Sequence, residues 1–127
     1  MIVVDTSALM AILLGELEAD ACSHAVEADA EVLASAGTVA ESLIVARRKQ
    51  LGGAMERLID ELGFEIVTVT PASARRIAQA YDRWGKGIHP AGLNFGDCFA
   101  YALAKEHSCP LLFVGDDFSK TDIGSVL

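Results

Sequence analysis

The sequence predicts an α/β fold in three layers: a mainly parallel central sheet of four or five strands with helices on both faces. Two observations carry this. Short apolar runs rich in valine, isoleucine and leucine alternate with longer segments whose apolar residues recur every three or four positions. Strands that alternate with helices pair in parallel and are covered on both sides. The length of 127 residues fits one domain spanning 1–127. A composition 52% hydrophobic and 22% charged supplies a core and argues against disorder.

In chain order, Ile2-Val3-Val4 is a short buried strand, since β-branched residues favour that state. Asp5, Thr6 and Ser7 turn the chain polar, and Ala8–Leu14 reads as a helix. Helical spacing resumes over Glu16–Ala28, and Glu31–Ser35 is a second strand ending in Ala36-Gly37. Thr38–Lys49 is a helix, broken by Gly52-Gly53. Ala54–Leu62 is another, with Met55, Leu58, Ile59 and Leu62 on one face and Gly63 beyond its end. Phe64–Val69 is the third strand. Thr70-Pro71 opens a helix to about Trp84, threonine as cap and proline at the first position. Gly85–Gly92 is the longest irregular stretch. Asn94–His107 is helical, Pro110–Val114 a strand, and Gly115-Asp116-Asp117-Phe118 turns away from it. Phe95, Phe99, Ala102 and Leu103 recur at helical spacing and are expected in the core.

A net charge of −8 argues against a passive nucleic-acid binder, because phosphate contacts need lysine and arginine. It does not exclude a nucleic-acid enzyme, since divalent cations held by clustered carboxylates reverse the local sign. No apolar run reaches the roughly 18 residues of a membrane span, and no basic region or small-residue cleavage site marks a signal peptide. Cys22, Cys98 and Cys109 lack paired metal-ligand spacing, so a cytoplasmic location is expected.

The chemistry lies in the acids. Asp5 follows the first strand, Glu41 and Asp97 each lie in the first turn of a helix, and Asp116 follows the last strand. In an open parallel sheet the carboxyl edge is where ligands bind. Each acid also has a structural reading. Asp5 can cap a helix, Thr38-x-x-Glu41 and Asn94-x-x-Asp97 fit capping boxes, and Asp116-Asp117 fits a turn. Jointly, four carboxylates at one edge repel unless a cation sits among them. Magnesium takes such oxygen ligands and lets water attack a phosphodiester.

The blocks Ile2–Ala8, Leu93–Ala104 and Leu111–Asp122, with Glu41 between them, resemble the PIN domain and, more closely, VapC toxins of type II toxin–antitoxin modules. The resemblance spans essentially the whole chain. It implies a three-layer PIN-like fold and an endoribonuclease dependent on Mg2+ or Mn2+, inhibited by a cognate VapB-type antitoxin and commonly a homodimer. By position, Asp5 and Asp97 are metal ligands, Glu41 a ligand or the group that orients water, and Asp116 the fourth acid. Asp117 and Asp122 are further candidates for that role. Thr6, Ser7 and Asn94 are expected to support the site by hydrogen bonding or capping.

Arg83, Lys86 and His89, in or beside the glycine-rich stretch, are candidate RNA contacts, because glycines allow close backbone approach. Trp84 reads as packing rather than a stacking surface, and Cys98 as a buried small residue with no histidine to activate it. Two rival functions remain open from the residues. An aspartyl-phosphate phosphatase or receiver-like domain would need a lysine at a strand end, and Lys105 and Lys120 do not fill that place. A non-catalytic binding module would use its acids only as caps.

Overall fold

The computed structural model describes residues 1–127. Its sheet has four parallel strands, β1 (Ile2–Val4), β2 (Val32–Ser35), β3 (Glu65–Val67) and β4 (Leu111–Leu112), in the order β3-β2-β1-β4. The chain steps outward from β1 to β3, then returns to lay β4 on the other side of β1. The crevice at the carboxyl ends of β1 and β4 is therefore the switch point where such sheets bind ligands.

Alternate strand residues face opposite layers. Ile2 and Val4 enter a core with α1 (Thr6–Leu14), α2 (Ala19–Ala28), α3 (Ala36–Arg48) and α4 (Gly52–Leu62). Val3, Leu33 and Leu111 enter a second core with α5 (Pro71–Trp84) and α6 (Phe95–Glu106). The expected three layers are present, with four strands.

Several predicted boundaries shift, each for a local reason. α1 begins at Thr6 rather than Ala8 because Asp5 caps it. α1 ends at Gly15, with φ +63°, and α2 starts at Ala19 rather than Glu16. The predicted Thr38/Glu41 capping box does not form. Ser35 caps α3 instead, accepting from the Gly37 N–H, so Ala36-Gly37 belong to the helix rather than to the strand's end. α4 takes in Gly52-Gly53. β3 and β4 are shorter than Phe64–Val69 and Pro110–Val114, because only their middles pair with neighbours.

The start of α5 is as expected, with Pro71 in the first turn and Thr70 forming a capping box with Ser73. The Asn94/Asp97 box also forms. The stretch Gly85–Gly92 is pinned at its base: Leu93 N–H donates to Trp84 O, and Lys86 N–H donates to Leu93 O. Phe95 is a correction. Its ring is 73% exposed, not core, while Phe99 is half-buried and Ala102 and Leu103 are buried. No helix is long and apolar enough to cross a membrane.

Candidate active site

Asp5 leaves the end of β1 and caps α1. Its Oδ2 accepts from the Ser7 N–H at 3.0 Å and from the Ser7 hydroxyl at 2.7 Å. The Ser7 oxygen accepts in turn from the Val114 N–H at 3.0 Å, which ties the turn beyond β4 to the start of α1. Asp5 Oδ1 is buried and has no partner. A buried carboxylate oxygen left bare is costly, so Asp5 does more than cap. Ser7→Ala removes a donor to a buried carboxylate and an acceptor for a backbone N–H. It is expected to cost about 1–3 kcal/mol, read from urea unfolding midpoints.

Glu41 sits one turn into α3, and the Thr6 hydroxyl donates to its Oε1 at 2.5 Å. Behind it, the buried Ser42 hydroxyl donates to Thr38 O at 2.8 Å and lies 3.2 Å from the Thr6 oxygen. Opposite Glu41 is Gly96, the second residue of α6. A Cβ there would lie 1.8 Å from Glu41 Oε2 and 2.4 Å from its Cδ. Gly96 is thus the hollow into which the glutamate fits.

Asp97 follows it. Its N–H donates to Asn94 Oδ1 at 2.8 Å, and its Oδ2 accepts from the Asn94 N–H at 3.0 Å. Asp97 is 7% and Asp5 4% exposed. Burial pushes the Asp97 carboxyl up to about 7, opposed by the Asn94 hydrogen bond and reinforced by the charges of Asp5, Asp117 and Glu41. Burial likewise raises Asp5 to about 6, against the two Ser7 hydrogen bonds and with the charge of Glu41 adding to it. These acids share one electrostatic neighbourhood at the carboxyl edge of the sheet.

The remaining candidates divide. Asp116 and Asp117 are both exposed, and the Asp116 carbonyl accepts from the Ser119 N–H and hydroxyl to close a turn. The charge of Asp117 is among those that act on Asp97. Asp122 is occupied elsewhere. Its oxygens accept from the Tyr101 hydroxyl at 2.5 Å and from Lys105 Nζ at 3.2 Å, with Arg83 at 3.8 Å. Trp84 Nε1 donates to the same Tyr101 oxygen at 2.8 Å, so Trp84 packs and anchors rather than offering a free face. Arg83 lies over the Trp84 ring at 4.6 Å. His89 braces its loop, accepting at Nδ1 from the Ala91 N–H at 2.9 Å and meeting Trp84 edge-on. Lys86 is exposed and forms no ion pair. Cys98 is fully buried, with its thiol pushed up to about 11, which suits a packing role.

Gly96 was not foreseen from the sequence, and Thr6, expected to support the site by hydrogen bonding, gave no sign that its partner is Glu41. Gly96 could have been suspected, because glycine in a helix costs about 1 kcal/mol relative to alanine and implies a reason. The Thr6–Glu41 hydrogen bond joins residues 35 apart in sequence and left no local signal.

No three His, Cys, Asp or Glu side chains close around a common point as a preformed metal cage. The donor set nevertheless fits a hard divalent cation: it is all carboxylate oxygen, one atom is buried and bare, and the like charges are unneutralised. Asp5, Asp97 and Glu41, with Asp116 or the adjacent Asp117, would hold such an ion. A pH dependence follows for the metal-free protein. Both aspartates have folded pKa values above the ordinary 3.8, so between about pH 4 and 7 the folded state binds more protons than the unfolded. Their contribution therefore weakens stability as pH rises through that window and is flat above about pH 7. Urea unfolding in chelator at several pH values, wild type minus Asp97→Asn, is expected to show this slope, and millimolar Mn2+ to remove it.

The PIN domain family model matches residues 2–124. The chain is 43% identical over 127 residues to Ribonuclease VapC30 of Mycobacterium tuberculosis, covering 98% of this chain and 97% of that protein. It is 42% identical to Ribonuclease VapC of Mycolicibacterium smegmatis, covering 98% of each. Among solved structures, Mycobacterium tuberculosis VapC20, a sarcin-ricin loop cleaving toxin, superposes with a TM-score of 0.79 at 16% identity, covering 97% of this chain and 96% of that one. A chain from a toxin–antitoxin complex of Klebsiella pneumoniae gives 0.73 at 21% identity, over 100% and 97%. Those two likenesses concern the fold, whereas the family match and the curated relatives settle kinship: this chain belongs to the PIN domain family, in its VapC branch.

Proposed function

We propose that the protein is a metal-dependent endoribonuclease, the toxin of a VapBC-type pair, which hydrolyses RNA phosphodiester bonds. The observation that carries this reading is the buried, unpartnered Asp5 Oδ1 in the same neighbourhood as Asp97 and Glu41. Relatives named ribonucleases, more than 40% identical over nearly the whole chain, support it. Asp5 and Asp97 are the proposed ligands of Mg2+ or Mn2+, and Asp116 or the adjacent Asp117 completes the acid set. The ion, when bound, supplies charge neutralisation at the scissile phosphate and makes water a competent nucleophile near neutral pH.

The chain's own residues then have separate tasks. Ser7 fixes one Asp5 oxygen so that the other faces the site. Asn94 does the same for Asp97. Thr6 holds one Glu41 oxygen and leaves Oε2, the atom against Gly96, to accept a hydrogen bond from the attacking water. Asp122 has a structural task, latching the C-terminal segment to α6 through Tyr101 and Lys105. Lys86 is the proposed phosphate contact of the glycine-rich stretch. The partner is a VapB-type antitoxin, the assembly a homodimer, and the compartment the cytoplasm, where three free cysteines remain reduced.

The test is cleavage of single-stranded and hairpin RNA by purified protein with Mn2+, with chelator, and with Asp97→Asn as control. Cleavage that needs the metal and disappears in the variant supports the reading. Cleavage that persists in chelator contradicts it.

A further inference from the structure

The basic side chains of this acidic chain are not spread evenly. Three of its ten lysines and arginines, Arg76, Arg83 and Lys105, line one groove of about 260 Å³ between α5 and α6, with Glu106, Trp84 and Tyr101. Their charges are only partly met. Arg83 and Lys105 share a single Asp122 oxygen, at 3.8 and 3.2 Å. Arg76 Nη2 pairs with Glu106 at 2.9 Å, while its buried Nε has no acceptor. All three pairs are partly solvated, and such pairs are weak enough for a stronger anion to displace. Arg83 lies over the Trp84 ring, 4.6 Å from its centroid, which holds the guanidinium plane and leaves its N–H edge to a ligand. The groove is also aligned with the acids. Asp97, Tyr101 and Lys105 recur every four residues and share one face of α6. Lys105 lies eight residues beyond Asp97, about 12 Å along the helix. Beside this face, the glycine-rich stretch sets His89 edge-on to Trp84 and leaves Lys86 exposed.

We propose that the α5–α6 groove is an accessory RNA site, in which Arg83, Lys105 and Arg76 hold backbone phosphates of the substrate strand at a distance from the cut. This site rests on the ribonuclease reading above. The groove sets three cations against the two carboxylates of Glu106 and Asp122, so its ligand is an anion. A continuous strand suits it better than an isolated ion, because the cations carry on from the face of α6 that bears Asp97. Arginine forks match phosphate oxygens in pairs, and lysine adds a point charge. Such contacts fix the register of the strand without reading its bases. They also give RNA a local foothold on a chain whose net charge of −8 otherwise repels it. The homodimer proposed above leaves this groove open. The exposed apolar side chains that suit a second copy, Ile44 and Phe95, lie on α3 and at the start of α6, whereas the groove is rimmed by charge.

The experiment is steady-state cleavage of a single-stranded RNA oligonucleotide over a range of salt concentrations. Lys105→Gln is expected to raise KM by about 2- to 5-fold, the worth of one exposed charge contact. It is also expected to flatten the plot of log KM against log salt by about 0.7, with kcat and Mn2+ affinity unchanged. Lys105→Arg is expected to keep the wild-type KM and slope. Adding Arg76→Gln to Lys105→Gln should repeat both changes. Asp122→Asn keeps an acceptor for Tyr101 and drops the competing charge, so its KM is expected to fall. An unaltered KM and salt slope in the double variant overturn the site while cleavage itself stands, and leave the groove to an acidic segment of a protein partner. A KM that rises in both Lys105→Gln and Asp122→Asn, with a lower melting temperature and the wild-type salt slope, overturns it in favour of a purely structural latch. Wild type that cleaves no RNA at all fails earlier, at the ribonuclease reading itself.

Discussion

Asp97→Asn is expected to melt about 5–10 °C higher than wild type in chelator at pH 8, while its cleavage of RNA falls by a factor on the order of 10³ or more. Both effects come from one carboxylate. Burial and three neighbouring acids raise its pKa from 3.8 to about 7, which corresponds to roughly 4 kcal/mol of destabilisation when the group is forced to ionise. The amide is neutral and its oxygen can still accept from the Asn94 N–H. Solvent screening leaves roughly half of that, about 2 kcal/mol, and a gain of that size moves the melting temperature of a domain this long by about 5–10 °C. The loss of activity follows because several kcal/mol of transition-state charge stabilisation depend on the cation. Differential scanning calorimetry and a cleavage assay on the same preparation check the pair. A variant that loses both activity and stability would show that Asp97 serves the fold.

Gly96→Ala gives a different signature: a protein as stable as wild type and at least about 10²-fold less active. The added Cβ would fall 1.8 Å from Glu41 Oε2. The obstacle is the far end of a flexible side chain, so the glutamate swings away and the helix survives. Alanine also recovers up to about 1 kcal/mol of helix propensity. What is lost is the position of the Glu41 carboxylate, and displacement of a catalytic group by about 1 Å can cost 10²-fold. The kcat of the variant and its urea midpoint distinguish this from general damage. Unchanged kcat would mean that Glu41 need not sit where Thr6 and Gly96 hold it.

Much of this was legible in the chain. The valines of β1 and the leucines of β4 are buried on both sides, so they form apolar runs with no alternation, and Asp5 marks where β1 ends. Thr70-Pro71 and Asn94-x-x-Asp97 are local hydrogen-bonding patterns and were read correctly. Thr38-x-x-Glu41 matched the same pattern and misled. Ser35 already caps that helix, and Thr6, from a different element, claims Glu41. Phe95 failed for a related reason: helical spacing gives a face, but it says nothing about what occupies the space opposite the first turn. Asp122 was a reasonable candidate by order along the chain, yet Tyr101 and Lys105 draw it down α6. Local capping and burial were written in the sequence, while pairings across the sheet edge were not.

Calorimetric titration of wild type with Mn2+ at pH 8, beside Asp5→Asn and Asp97→Asn, bears most directly on whether these carboxylates serve to chelate a cation. Saturable binding in wild type that disappears in both variants is the expected result. Binding of equal strength in all three, or none in wild type, would show that the acids gather at the sheet edge for some other reason.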